Sequence, residues 1–266
     1  MHPRLHVSAL SSIGNSFDED LELWDELGIE RVGLYLDKLE AAGVEAAAEH
    51  VRAAGLAVSS VAARGFDLHD PSTWDARRDA LDAAVDAATL VGAACVFVTS
   101  GVPGPLEWDD AVHALEAAIT PVRDRAQELE VPLAIENSNP LRRDVGFTHT
   151  LPDTVEVARR LGLHVVVETT NCWFERDLQR SIVDGADTFA VLQVSDYVVG
   201  DTTASERAVP GDGDVPLGRI LGWARAAGFD GPVELEMLGP RIEAEGYPQA
   251  IRRGLDALDP LLGAAG

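Results

Sequence analysis

The chain has 266 residues, 46% of them hydrophobic, which is enough for one sizeable core and close to the roughly 250 residues of a (β/α)8 barrel. Its 45 acidic and 21 basic residues leave a formal charge of −24, a surface that repels polyanions and excludes nucleic acid as a partner. Two cysteines, Cys95 and Cys172, make no disulfide framework, and no apolar run reaches the roughly 18 residues of a membrane span, so a cytoplasmic protein with no membrane partner is expected.

The opening residues Met1-His2-Pro3-Arg4 lead into a first strand predicted over 5–10, followed by a helix over 17–27. A strand at 31–35 precedes a helix at 39–54, and a strand at 57–63 precedes a helix at 74–91. The run 95–99, which holds Cys95, reads as a buried strand ahead of a helix at 108–129. The second half repeats the rhythm: strands at 132–136, 164–168, 189–194 and 233–237, helices at 154–161, 178–184, 217–227 and 248–262. Glycines such as Gly28 and Gly162 stand between a helix and the next strand, the usual helix stop.

Eight strand–helix units of roughly 30 residues predict one closed (β/α)8 TIM barrel of α/β class spanning 1–266 as a single domain. An open doubly wound sheet would carry a glycine-rich phosphate loop after its first strand. The corresponding segment, Ser8-Ala9-Leu10-Ser11-Ser12-Ile13-Gly14-Asn15, has one glycine.

In a barrel the carboxyl ends of the strands converge on one mouth. The last four strands end with Glu136-Asn137, Glu168-Thr169-Thr170-Asn171, Gln193-Val194-Ser195-Asp196 and Glu234-Leu235-Glu236. Glu136, Glu168, Gln193 and Glu236 would therefore point into one small volume. Like charges so close repel, and a divalent cation relieves the conflict. An all-oxygen set suits Mg²⁺ or Mn²⁺, with Zn²⁺ or Co²⁺ less favoured for want of an imidazole.

The segments Leu133-Ala134-Ile135-Glu136-Asn137, Gln193-Val194-Ser195-Asp196 and Val233-Glu234-Leu235-Glu236 resemble the sugar phosphate isomerase/epimerase family of xylose-isomerase-like barrels, and the resemblance is strongest from the fifth strand onward. It implies a metal held by Glu136, Glu168, Gln193 and Glu236. Glu168 stands where the family usually has Asp, Gln193 where it has His, and Asn171 where many members carry a substrate-contacting His. In the loop Ser205–Leu217, Arg207 ahead of Gly211-Asp212-Gly213 matches a family arginine that contacts substrate. The family also leaves a homo-oligomer open.

Weaker candidates for substrate contact are Lys38 after the second strand, Arg64 at the end of the third and Trp173, with Phe174, after the sixth. Lys38 competes with a reading as a solvated lysine. Asp212 and Asp214 read as turn and helix-start residues, and His6, His69 and His149 as surface or satisfied histidines.

A cation at the mouth would polarise a carbonyl, acidify the neighbouring C–H and favour an ene-diolate, with Glu136 and Glu236 moving the proton. Three outcomes stay open for a small carbohydrate-like substrate: isomerisation, epimerisation, or β-elimination by a lyase. A non-catalytic barrel subunit with an impaired metal site is the reading from another class, and Gln193 is the residue that favours it.

Overall fold

The structure, a computed structural model, describes residues 1–201 and 206–263; Ser205, at the head of the loop singled out above, lies outside them. Eight parallel strands close in sequence order: β1 (Leu5–Ser8), β2 (Arg31–Tyr35), β3 (Ala57–Ala62), β4 (Cys95–Thr99), β5 (Leu133–Glu136), β6 (His164–Glu168), β7 (Phe189–Val194) and β8 (Val233–Leu235). Pairing of Leu5 with Val233 shuts the ring, so no strand edge is left for another chain.

The helices are α1 (Phe17–Leu27), α2 (Leu36–Ala42), α3 (Val44–Ala53), α4 (Trp74–Val91), α5 (Trp108–Glu128), α6 (Leu151–Leu161), α7 (Leu178–Gly185), α8 (Leu217–Ala226), α9 (Pro240–Glu245) and α10 (Tyr247–Gly263). The helix expected over 39–54 is two helices. Gly43 breaks it at φ 84°, a left-handed conformation that side chains other than glycine avoid. Helix α6 begins three residues before the expected start, because the Thr150 hydroxyl accepts from Asp153 N and Pro152 fits the first turn. Strand β1 stops at Ser8 because its hydroxyl accepts from Leu10 N and starts a 3-10 turn over Ala9–Ser12. The short α9 was not among the predicted elements.

Strand alternation sorts the core into two layers. Leu5, Val7, Val32, Leu34, Val96, Val98, Leu133 and Ile135 face the helices. Ala62, Cys95, Phe97, Ala134, Val166 and Val191 pack together inside the barrel. Truncating a filler such as Phe97 would cost about 3–5 kcal/mol. The same inward positions, followed towards the carboxyl ends, turn polar: Glu136, Glu168, Gln193, Glu234 and, just past β8, Glu236. The apolar layer is thus the floor of a polar chamber. Cys95 and Cys172 are both free thiols and buried. Among the described residues no helix is long and apolar enough to cross a membrane.

Candidate active site

Each polar residue of the chamber is placed by backbone register. Thr99 pairs with Glu136, Glu168 with Gln193, and Gln193 with Glu234, which sets the side chains side by side around the ring. Asn137 ties two strand ends together: Glu168 N donates to its Oδ1 at 2.8 Å, and its Nδ2 donates to Glu168 O at 3.1 Å.

Glu136 is half-buried, whereas Glu168, Gln193, Glu234 and Glu236 are buried. Loss of water, followed by the nearby charge of Glu168, pushes the Glu136 carboxyl up to about 8; Arg207 pulls the other way. The Glu236 carboxyl is pushed well above the ordinary range by burial, then by Glu136, Glu168 and Glu234. Glu168 is raised by burial and held back by Arg207 and by Thr170, whose N and Oγ1 donate to Glu168 Oε1 at 2.8 and 2.5 Å. These shared fields put the three glutamates in one electrostatic unit.

Gln193 Nε2 donates to Glu236 Oε2 at 2.6 Å and to Glu234 Oε2 at 3.3 Å. Ser8 Oγ donates to Glu236 Oε2 at 3.2 Å. Arg207 is buried; its backbone N donates to Leu238 O, and its Nη2 donates to Asn171 Oδ1 at 3.1 Å. Asn171 in turn donates from Nδ2 to Asn137 O at 2.8 Å. Arg207 and Asn171 therefore join the carboxylates at the mouth.

Lys38 does not. Its Nζ donates to Ala9 O at 2.9 Å, Ser12 O at 2.8 Å and Asp20 Oδ2 at 2.6 Å, which uses all three N–H groups in a buried knot behind the first loop. It is neither a mouth residue nor a solvated one. Arg64 lies on the exposed rim and grips Asp37 Oδ2, which also accepts from the Tyr35 hydroxyl. Trp173 lines a groove of about 810 Å³ between α7 and α8 together with Trp223, Arg176 and Arg219; none of the glutamates of the chamber borders that groove. Phe174 is exposed and meets Trp173 edge-on. His6 is buried on β1 with an unpartnered Nδ1. Asp214 does not cap α8, whose N-cap is Pro216; its carboxylate accepts from Val199 N. Asp212 pairs with Arg253.

Two residues escaped the sequence reading. Asp196 accepts from the backbone N–H groups of Tyr197, Val215, Gly211 and Gly213 and so folds the loop that carries Arg207. Glu234 is fully buried inside the barrel, with Ser59 Oγ and Ser60 Oγ each donating to its Oε1 at 2.6 Å. The signal for Glu234 was present: a charged residue between Val233 and Leu235 in a strand must face the interior when its neighbours face the helices.

The donor chemistry of the chamber fits a hard divalent cation. Glu168 Oε2 and Gln193 Oε1 are buried acceptors without a hydrogen-bond partner, an arrangement that costs energy until a donor or cation meets it. Among the described residues no three His, Cys, Asp or Glu side chains stand at the spacing of a finished metal site. The fourth group in this set is an amide, and the Gln193 nitrogen lies on Glu236. Glu136, Glu168, Gln193 and Glu236 are the residues that would hold the ion.

The sequence matches the family described as a xylose isomerase-like TIM barrel over residues 26–261. Among curated proteins none matches. A solved protein of Sinorhizobium meliloti 1021 is 25% identical, with 97% of this chain and 98% of that chain covered and a TM-score of 0.85. The IolI protein, solved with a zinc atom, is 15% identical over 98% of both chains, with a TM-score of 0.83. D-psicose 3-epimerase, solved in the presence of D-fructose, is 15% identical over 98% of this chain and 100% of its own, with a TM-score of 0.79. The last two likenesses are likenesses of fold.

Proposed function

We propose a function from one premise: this chain belongs to the xylose isomerase-like TIM barrel family. The protein is a divalent-metal-dependent isomerase or epimerase of a sugar or keto-polyol. The observation that carries this reading is the chamber itself, in which Glu136, Glu168 and Glu236 share one field while Glu168 Oε2 and Gln193 Oε1 lack partners. The zinc of the IolI structure and the ketohexose of the epimerase structure agree with it. The all-oxygen donor set favours Mn²⁺ or Mg²⁺ over Zn²⁺ or Co²⁺.

When bound, the ion supplies Lewis acidity that makes the C–H beside a substrate carbonyl easier to ionise. The proton itself is the work of the side chains. Glu136 ends β5 and Glu236 follows β8, so the two carboxyls reach a substrate from different parts of the ring. Without the ion, burial and the charge of Glu168 push the Glu136 carboxyl up to about 8; a cation beside it would pull that value down and leave Glu136 as the carboxylate that takes the proton. Arg207 and Asn171 present a fork of N–H donors and an amide, which suit the hydroxyls of a polyol.

The test is solvent exchange. With Mn²⁺ and a panel of ketohexoses in deuterated water, one substrate C–H should exchange, and the product should be an epimer or an aldose. Glu136→Gln and Glu236→Gln should each lower exchange by about 10²–10⁴-fold. Full exchange in both variants would remove their role, and a dehydrated product would replace isomerisation by elimination.

A further inference from the structure

Glu234 is a fully buried carboxylate one level below the mouth, and the fold is built around it. Ser59 and Ser60 give their hydroxyls to the same oxygen, Oε1, at 2.6 Å. Gly33 across the interior leaves the room: a Cβ there would lie 2.8 Å from Glu234 Oε1. The other oxygen, Oε2, accepts from Gln193 Nε2 at 3.3 Å, while the second N–H of that amide goes to Glu236 Oε2 at 2.6 Å. Both donors of the amide are thereby committed to carboxylates. Gln193 Oε1 is left buried and without a partner.

An amide has two faces of opposite character. Turned one way it offers an acceptor oxygen, and turned the other it offers donors that repel a cation. A side chain chosen for its oxygen needs something behind it that accepts only. A carboxylate whose oxygens both accept, as those of Glu234 do from Ser59, Ser60 and Gln193, does this; a serine or another amide could satisfy either orientation. Acceptor groups behind a histidine ligand fix its ring in the same manner.

We propose that Glu234 is a positioning residue, one that shares the Gln193 nitrogen with Glu236 and so makes the amide oxygen the group Gln193 offers to a divalent cation. This rests on the reading of the chamber as a metal site. It explains why a glutamine stands in the ring together with a buried glutamate beneath it: the two residues form one unit, of which Gln193 is the contact and Glu234 the orienting half.

The test is a titration of the metal-stripped protein with Mn²⁺, followed calorimetrically, with the melting temperature of each variant as the check on folding. Glu234→Gln, equal in size, should weaken Mn²⁺ binding about 10- to 100-fold. Removing a negative charge near the ion would also weaken binding, and a double-mutant cycle separates the two causes. In a Gln193→Ala background the orienting effect has nothing to act on, so Glu234→Gln should change affinity by less than about threefold there. Gly33→Ala keeps the charge but pushes the Glu234 carboxylate aside, and should weaken Mn²⁺ in the same direction; it also serves if Glu234→Gln fails to fold. Wild-type affinity in both variants, or an equal loss with and without Gln193, overturns the positioning role alone. Failure of the unaltered protein to bind Mn²⁺ or Mg²⁺ overturns the reading of the chamber, and the role of Glu234 with it.

Discussion

Arg207 Nη2 donates to Asn171 Oδ1 across 3.1 Å, joining the loop after β7 to the turn after β6. The arginine is thus anchored through an amide, and its charge reaches Glu136, Glu168 and Glu236, lowering the pKa of each against the pull of burial. Replacing it should let all three carboxyls rise further. In the metal-free protein, carboxyl resonances of Glu136 followed by ¹³C NMR should titrate near 8, and in Arg207→Met at higher pH. The sign extends to stability. A carboxyl raised by folding favours the native state below its unfolded value of 4.5, and that contribution is lost as pH rises through about 8. Melting temperature should therefore fall more steeply across that window in the variant. An unchanged Glu136 midpoint would show that the arginine does not act on it.

Much of this arrangement was legible in the sequence, because a barrel turns local periodicity into global position. Eight apolar strands of alternating phase must close, and polar residues at their carboxyl ends must then meet; Glu136, Glu168, Gln193 and Glu236 do. What the pattern could not reveal depends on partners far away in the chain. Lys38 looked free because its acceptors, Asp20 on α1 and two carbonyls of the first loop, come from another unit. Trp173 carried no sign of which side of the rim it would face. Glu234 was visible by phase but lay one level below the rim, where only the serines of β3 and the space above Gly33 explain a charge.

Lys38 gives a prediction that separates structure from catalysis. The Lys38–Asp20 pair is buried, and removing one partner strands the other charge, at a cost of about 3–5 kcal/mol. Lys38→Met should lower the melting temperature by about 10 °C, and the added change Asp20→Leu should restore much of it. KM for the substrate should stay within about twofold, since the ammonium does not face the mouth. A large rise in KM with unchanged stability would return Lys38 to the binding site.

Asp196 should act through Arg207. Its two oxygens accept four backbone N–H groups, and an asparagine at that place keeps one acceptor oxygen and adds donors where Gly211 and Gly213 already donate. Asp196→Asn should loosen the loop, speed proteolytic cutting between residues 209 and 215, and raise KM in the direction of Arg207→Met. Tight substrate binding with a loop that cuts no faster would separate the two residues.

His6 sets the acid side of stability. It lies buried in the barrel with Nδ1 unpartnered, and burial, reinforced by the charge of Arg31, lowers its pKa from 6.5 to about 4. Between those two values the unfolded chain takes up a proton that the folded protein refuses. The contribution of His6 is therefore complete above pH 6.5 and is lost as the pH falls through 4, on the order of 3 kcal/mol. Its slope is opposite to that of Glu136 where the windows overlap, so wild-type melting alone would not separate them. The difference between the wild type and His6→Gln does, because every carboxylate is common to both. Denaturant unfolding at intervals from pH 7 to 4 should show the wild type losing stability relative to His6→Gln as the pH drops. Parallel curves would mean that His6 accepts its proton inside the barrel, and that a neighbouring acceptor, not burial, governs it.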